Sequence, residues 1–232
     1  MRFVLIRHGQ SVNNLHYEQS GNLLDGRHPD PPLTDLGHEQ AAELGRALAE
    51  GALPWRLTAL HCSLMARAIQ TAHPVAEALG LPAQGHTELF ECGGPYDVGA
   101  DGETLVAHPG GSRAELAALS DRVVLPERAA QHGWWAGPFE GDEASYAARA
   151  GRVVAELRAR HPADAVLGLV THGWFTQYLV RELLGITAMN GWFEIHNTGI
   201  TLIDDHGSSW STGTTAVRIN WLPHLSAAQI TA

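Results

Sequence analysis

The sequence predicts an α/β fold: a three-layer α/β/α sandwich with a mostly parallel central sheet and an inserted cap region. Three observations predict it. Two short apolar runs, residues 2–7 and 165–170, are rich in β-formers and lack polar alternation, as strands buried on both faces do. Each leads into a polar turn holding a histidine-glycine pair, His8-Gly9 in one and His172-Gly173 in the other. Apolar strand patterns also alternate with amphipathic helical ones, the order expected of helices covering both faces of a parallel sheet. A chain of 232 residues, 44% hydrophobic and 17% charged, fits one domain (1–232) with a sizeable core.

The elements follow in order. Residues 2–7 read as a buried central strand, which places Arg7 and His8 at its C-terminal end, the edge where open α/β sheets bind ligands. Residues 21–33 are rich in Gly, Asp and Pro and read as a loop. Thr34 is a good N-cap after Pro31-Pro32-Leu33, for a helix running to about residue 50 with Leu44 and Leu48 on one face. Residues 57–62 read as a second strand and 64–79 as a helix closed by Gly80 and Pro82. Residues 84–87 form a short extended segment. Residues 93–140 hold many Gly and Pro, two adjacent tryptophans and little periodicity, and read as a cap insertion. An amphipathic helix over 142–160 puts Tyr146, Ala150, Val153 and Leu157 on one face. After the strand at 165–170, a helix runs to about residue 184, and two last strands fit 200–203 and 216–221.

Composition excludes several functions. The 15 basic residues are scattered against 25 acids, for a net charge of −10, whereas a nucleic-acid binder needs basic clusters to neutralise phosphates. A small anionic substrate remains compatible, because a few placed arginines outweigh net charge locally. The two cysteines, Cys62 and Cys92, are too few for a disulfide framework and lack metal-type spacing. His38-Glu39 opens like a zinc-protease motif, but Ala42 stands where the second ligand would be. No apolar run reaches membrane-spanning length, and Met1 leads directly into a strand pattern rather than a signal peptide. A cytoplasmic location is expected, and the oligomeric state is open, a homodimer included.

Four local patterns can carry chemistry. They are Arg7-His8-Gly9-Gln10-Ser11 with Asn14 a turn on, Ser63 followed by Arg67-Ala68-Ile69-Gln70-Thr71, Leu89-Phe90-Glu91, and Thr171-His172-Gly173. Imidazole is a competent nucleophile and proton carrier near neutral pH. In this order the patterns resemble the histidine phosphatase superfamily, which includes the cofactor-dependent phosphoglycerate mutases. The likeness runs from Arg7 to about Thr198, in the form typical of the mostly intracellular branch.

The resemblance implies that His8 attacks phosphorus and that Arg7 and Arg67 clamp the phosphoryl oxygens, for which a planar guanidinium fork is suited. It implies His172 as a further donor, with Asn14 and the N–H of Gly173 completing the cradle. Phosphoryl transfer needs mainly positioning and charge stabilisation, so such a ring of donors suffices, and no cofactor or metal is implied. Glu91 matches the general-acid position, a role that demands a raised pKa, with Glu88 as the nearby competitor. Glu143 and Asn197-Thr198-Gly199 fall on family positions near the site. Gln10, Ser11 and Ser63 either touch substrate or merely cap turns. Trp134 and Trp135 either line a lid or fill the cap's own core.

The chain also departs from the family pattern. Cys92-Gly93-Gly94 stands where the mutases carry Arg and Tyr for the substrate carboxylate, and Arg113, Arg122 and Arg128 of the cap do not align with mutase positions. Hydrolysis of a small phosphomonoester through a phosphohistidine is therefore expected ahead of mutase activity. A catalytically silent phosphate-binding protein is a third option, against which His8 and Glu91 count.

Overall fold

The alternation along the innermost strand organises the molecule. A computed structural model describes residues 1–24, 26–129, 131–207 and 213–232. In it β1 (Arg2–Arg7) sends Val4 and Ile6 into one apolar cluster and Phe3 and Leu5 into another on the opposite face. This follows from the two-residue period of a strand, and each fully buried side chain of this size contributes about 1.5–3 kcal/mol. The first cluster is covered by α2 (Asp35–Ala49) and α3 (Ala66–Leu79), the second by α5 (Glu143–Arg160) and α6 (Gly173–Leu184). The result is the expected three-layer sandwich.

The central sheet has seven strands in the order β6-β3-β2-β7-β1-β8-β9. β2 (Ala59–Ser63), β3 (Ala83–His86), β6 (Val123–Val124) and β7 (Val166–Thr171) run parallel with β1. β8 (Ile200–Asp205) and β9 (Thr214–Trp221) add an antiparallel edge. Arg7 is in register with Thr171, and β2 flanks β7 on its other side. The C-terminal ends of three neighbouring parallel strands therefore deliver Arg7, Ser63 and Thr171 to one edge of the sheet.

Two departures from the sequence reading have physical reasons. α1 (Val12–Ser20) is a helix where none was expected, and none of its residues is buried, so it carries no apolar stripe to read. A reciprocal capping box between Ser11 and Asn14 and a left-handed Gly21 close its ends. The expected cap divides. β4 (Tyr96–Val98) and β5 (Leu105–Ala107) pair as a separate hairpin, whereas α4 (Arg113–Leu119) packs on α3 and β6 pairs with β3 in the main sheet. Asp25 and Ala130, in the expected loop and cap, lie outside the described residues. Among the described residues no helix is long and apolar enough to cross a membrane.

Candidate active site

His8 follows β1 directly and is held by its backbone. Its N–H donates to Thr171 O at 2.9 Å, and its carbonyl accepts from Asn197 Nδ2 and Thr198 N at 3.1 and 3.2 Å. Gly9 is pinned by its N–H to Thr71 Oγ1 at 3.0 Å. A Cβ on Gly9 would come 2.5 Å from Gly37 O, so the approach of this turn to α2 requires glycine. The Gly9 carbonyl lies 2.6 Å from His8 Nδ1. A carbonyl only accepts, so Nδ1 carries the proton and Nε2 presents its lone pair. Arg67 Nε–H donates to that Nε2 at 3.0 Å.

Burial first, then the charges of Arg67 and Arg7, hold the His8 pKa well below 6.5, so the ring is neutral and nucleophilic. Arg67 is buried in the first turn of α3, with Nη1 lacking a hydrogen-bond partner and 3.9 Å from Asp30 Oδ1. Asp30 in turn accepts from the Ala66 N–H at the start of α3, at 3.0 Å. Arg7 donates from Nη1 to Ile195 O at 2.5 Å, but its buried Nε has no partner. Burial pushes the Arg7 pKa down to about 10, which leaves it charged at neutral pH. Buried guanidiniums with unused donors are costly unless an anion completes them. Gly173 makes room for Arg7, since a Cβ there would stand 3.2 Å from Arg7 Nε.

Glu91 docks on the N-terminus of α6. Its carboxylate accepts from Phe175 N and Trp174 N at 2.8 and 3.2 Å and from Cys92 N at 2.9 Å. Glu91, Arg7, His8 and Arg67 all line one cavity of about 360 Å³. Glu88 does not: it lines a different cavity and is paired to Arg152 at 2.6 Å. The geometry thus brings Glu91, and not its competitor, to His8.

His172 lies beneath the cavity, wholly buried, its ring 5.1 Å from that of His8. Its Nε2 is 2.9 Å from Ser63 Oγ, and its Nδ1 has no partner. Burial first, then Arg67 and His8, depress its pKa well below 6.5. Neither His172 nor Gly173 forms part of the cavity wall, whereas Asn14 does. The Asn14 Oδ1 is committed to Ser11 at 2.8 Å, so only its amide NH2 remains to donate. Ser11 caps α1 and also lines the cavity, while Gln10 bonds Thr34 and Glu18. Ser63 instead supports His172.

Asn197 and Thr198 secure the backbone of His8 rather than facing the cavity, and Glu143 is an exposed residue of the first turn of α5. Trp134 and Trp135 pack against Phe90 and each other and line the other cavity. Cys62 is wholly buried, and burial pushes its thiol up to about 12.

Sequence reasoning missed the outer wall. Tyr17, Tyr96, Phe139 and Trp174 give it an aromatic lining, and Arg27 is its cation. The Arg27 guanidinium stacks 3.7 Å from the centre of the Tyr96 ring. Among the described residues Arg27 has no carboxylate ion-pair partner, while Arg113 and Arg122 are engaged elsewhere and Arg128 lines the other cavity. Nothing in its Gly-Asp-His-Pro surroundings marks Arg27. Asp30 carries no local signal either, because the helix start it serves, at Ala66, lies 36 residues away in the chain.

Comparison with known proteins bears on the family and the fold. A model of the histidine phosphatase superfamily (branch 1) matches residues 3–217. A 2,3-bisphosphoglycerate-dependent phosphoglycerate mutase of Chelativorans sp. (strain BNC1) is 41% identical over 80 residues, 34% of this chain and 35% of the mutase. The match therefore spans about a third of that relative's length. A putative α-ribazole-5′-P phosphatase from Escherichia coli str. K-12 superposes with a TM-score of 0.64 at 24% identity, covering 97% of this chain and 100% of that one. A mutant phosphoserine phosphatase from Entamoeba histolytica, in complex with phosphoserine, gives 0.63 at 19% identity over 97% and 99%. These two show the shared fold.

Proposed function

The chain belongs to the histidine phosphatase superfamily, branch 1, and on that premise we propose that it hydrolyses phosphomonoesters through a phosphohistidine on His8 without a metal. One observation carries the proposal: a neutral His8, whose Nε2 lone pair accepts from Arg67, lines the same cavity as the guanidiniums of Arg7 and Arg67 and the carboxyl group of Glu91.

In the first step His8 Nε2 attacks phosphorus and the ester P–O bond breaks. Glu91 enters this step as the carboxylic acid, gives its proton to the departing oxygen and is left as the carboxylate that the second step uses. Arg67 Nε–H, which rests on His8 Nε2, turns to a phosphoryl oxygen, and Arg7 meets another. If Ser63 O–H donates to His172 Nε2, the His172 proton stays on Nδ1, the nitrogen with no protein partner. In the second step Glu91 takes a proton from water, the water oxygen attacks phosphorus, and the P–N bond returns its electron pair to Nε2. Oriented charge at the transferring group supplies most of the acceleration.

Phosphoglycerate interconversion is the competing reading, prompted by the partial likeness to a mutase. A mutase must retain a bisphosphorylated intermediate. Among the described residues Arg27 is the one cation lining the cavity beyond the two floor arginines, beside several aromatic rings, which favours hydrolysis of a monophosphate over retention of a bisphosphate.

The test is phosphate release from 4-nitrophenyl phosphate with EDTA present, for wild type and His8→Ala. Release by wild type alone supports the proposal, and equal release by both refutes it. Phosphoglycerate interconversion stimulated by 2,3-bisphosphoglycerate, without net phosphate release, would move the protein to the mutases.

A further inference from the structure

We infer that Arg149 is a positioning residue for the proton-transfer step, fastening the segment that carries Glu91; the inference rests on Glu91 being the general acid. Arg149 is 1% exposed, in the second turn of α5 and away from the cavity that His8 lines. Burying a guanidinium costs several kcal/mol unless its donors are used, so what uses them indicates what holds it there. Its Nη1 donates to two backbone carbonyls, Glu88 O at 2.9 Å and Phe90 O at 2.7 Å. Its Nε and Nη2 form a fork on Glu140, at 3.1 and 2.7 Å. The guanidinium plane lies between two rings, 3.7 Å from the centre of Phe90 and 3.8 Å from that of Phe175.

These contacts converge on Glu91. The intervening Leu89 carbonyl accepts from Thr171 Oγ1 at 2.9 Å, so three successive carbonyls before Glu91 are all held, alternately by Arg149 and Thr171. The segment is irregular and lies beyond the end of β3, so these side chains replace the missing ladder. Arg149 also reaches the other side of the acid indirectly, because Phe175, on whose ring it stacks, donates its backbone N–H to Glu91 Oε1. A single buried cation thereby fixes both the backbone before Glu91 and the helix turn that receives its carboxylate. Displacement of a general acid by about 1 Å is enough to cost catalysis heavily.

The prediction is specific to the proton. Arg149→Met is compared with wild type and Glu91→Gln on 4-nitrophenyl phosphate, whose phenolate leaves without a proton, and on 2-phenylethyl phosphate, whose alkoxide needs one. The value of kcat/KM reports events up to phosphorylation of His8. Arg149→Met is expected to lower it about 100-fold on the alkyl ester and less than about threefold on the aryl ester, within the range of general-acid contributions. Equal losses on both esters, or none, overturn the inference. If Arg149→Met does not fold, Glu140→Gln carries the same test, with a loss of about tenfold confined to the alkyl ester. If Glu91→Gln shows no difference between the esters, the acid reading itself fails; if it does and Arg149→Met does not, only the role of Arg149 fails.

Discussion

At the floor of the cavity, Arg7 and His8 sit at the end of a hydrogen-bonded parallel strand, and Arg67 sits in the first turn of a buried helix. The wall is mixed: Tyr17 comes from α1 and Trp174 from the first turn of α6, but Leu23 and Arg27 come from an irregular segment, Tyr96 and Leu105 from a two-stranded hairpin, and Phe139 from a loop. The floor is over-determined. Arg7 and His8 are fixed by sheet register and Arg67 by its helix, and hydrogen bonds from Arg7 to Ile195 O and from Arg67 to His8 hold the side chains, as preorganised transition-state stabilisation requires. This outer part of the wall is held by side-chain stacking rather than by the main sheet, Arg27 on Tyr96 and Tyr96 on Phe139, and such a surface suits selecting the alcohol rather than performing the transfer. Floor changes should therefore alter the chemical step for every substrate, and wall changes should alter KM for particular ones.

The sharpest way to break this contrast is to remove the nucleophile. His8→Ala is expected to lower kcat for every phosphoester by about 10⁴-fold or more, with far-UV circular dichroism unchanged. A loss confined to some substrates would place His8 among the selecting groups. Arg67→Lys comes next. Lysine keeps the charge but loses the fork and the Nε–H that meets His8 Nε2 at 3.0 Å. A fall of about 10²- to 10³-fold in kcat, similar across substrates, is expected in steady-state assays. A change in KM alone would mean that Arg67 only binds.

The floor should also make the fold sensitive to acid. Burial depresses the pKa values of His8 and His172 well below 6.5, that of His61 to about 3 and that of His224 to about 4. The neutral ring is native in each case, and the unfolded chain takes up the proton first as pH falls. The stability they support is complete above about pH 6.5 and is lost progressively below it, toward each folded value. Each such histidine steepens the slope by about 1.4 kcal/mol per pH unit. Thermal denaturation should show Tm falling between pH 7 and pH 5, and His8→Ala should make that fall shallower. A pH-independent Tm would mean that these rings are not held neutral.

How far each region was legible in the sequence follows the same division. His8 and His172 could be placed because buried strands leave apolar runs and strand ends are where chemistry collects, whereas Arg7 and Arg67 were joined to them by the resemblance of the motif order to the histidine phosphatase superfamily. α1 could not, since a helix that buries nothing has no stripe. The cap was read as one insertion, yet β6 joins the sheet through two residues, too short a segment for periodicity to mark. Arg27 reaches the cavity and Arg149 reaches the Glu91 segment through contacts distant in the chain, with Tyr96 and with Glu88 and Phe90. Such partners are set by packing rather than by local spacing. Ser63 shows the limit from the other side: its motif was visible, but its role, supporting His172 rather than touching substrate, depends on a contact 109 residues away.

The smallest effect should come from the wall's cation. Arg27 stands at the cavity with no carboxylate within ion-pair distance among the described residues, though Glu91 and Asp97 act on its charge from farther off, and with its guanidinium braced on Tyr96. A substrate whose alcohol carries a carboxylate would use it, and a neutral aryl phosphate would not. Arg27→Gln is thus expected to raise KM about tenfold for carboxylate-bearing esters such as phosphoserine or 3-phosphoglycerate, the scale of one charged hydrogen bond. It should change kcat less than about twofold and leave 4-nitrophenyl phosphate unaffected. Tyr96→Ala should weaken the same substrates in the same direction, because it removes the brace rather than the charge. A collapse of kcat in Arg27→Gln on all substrates would place this residue in the floor, and wall and floor would then be one catalytic surface.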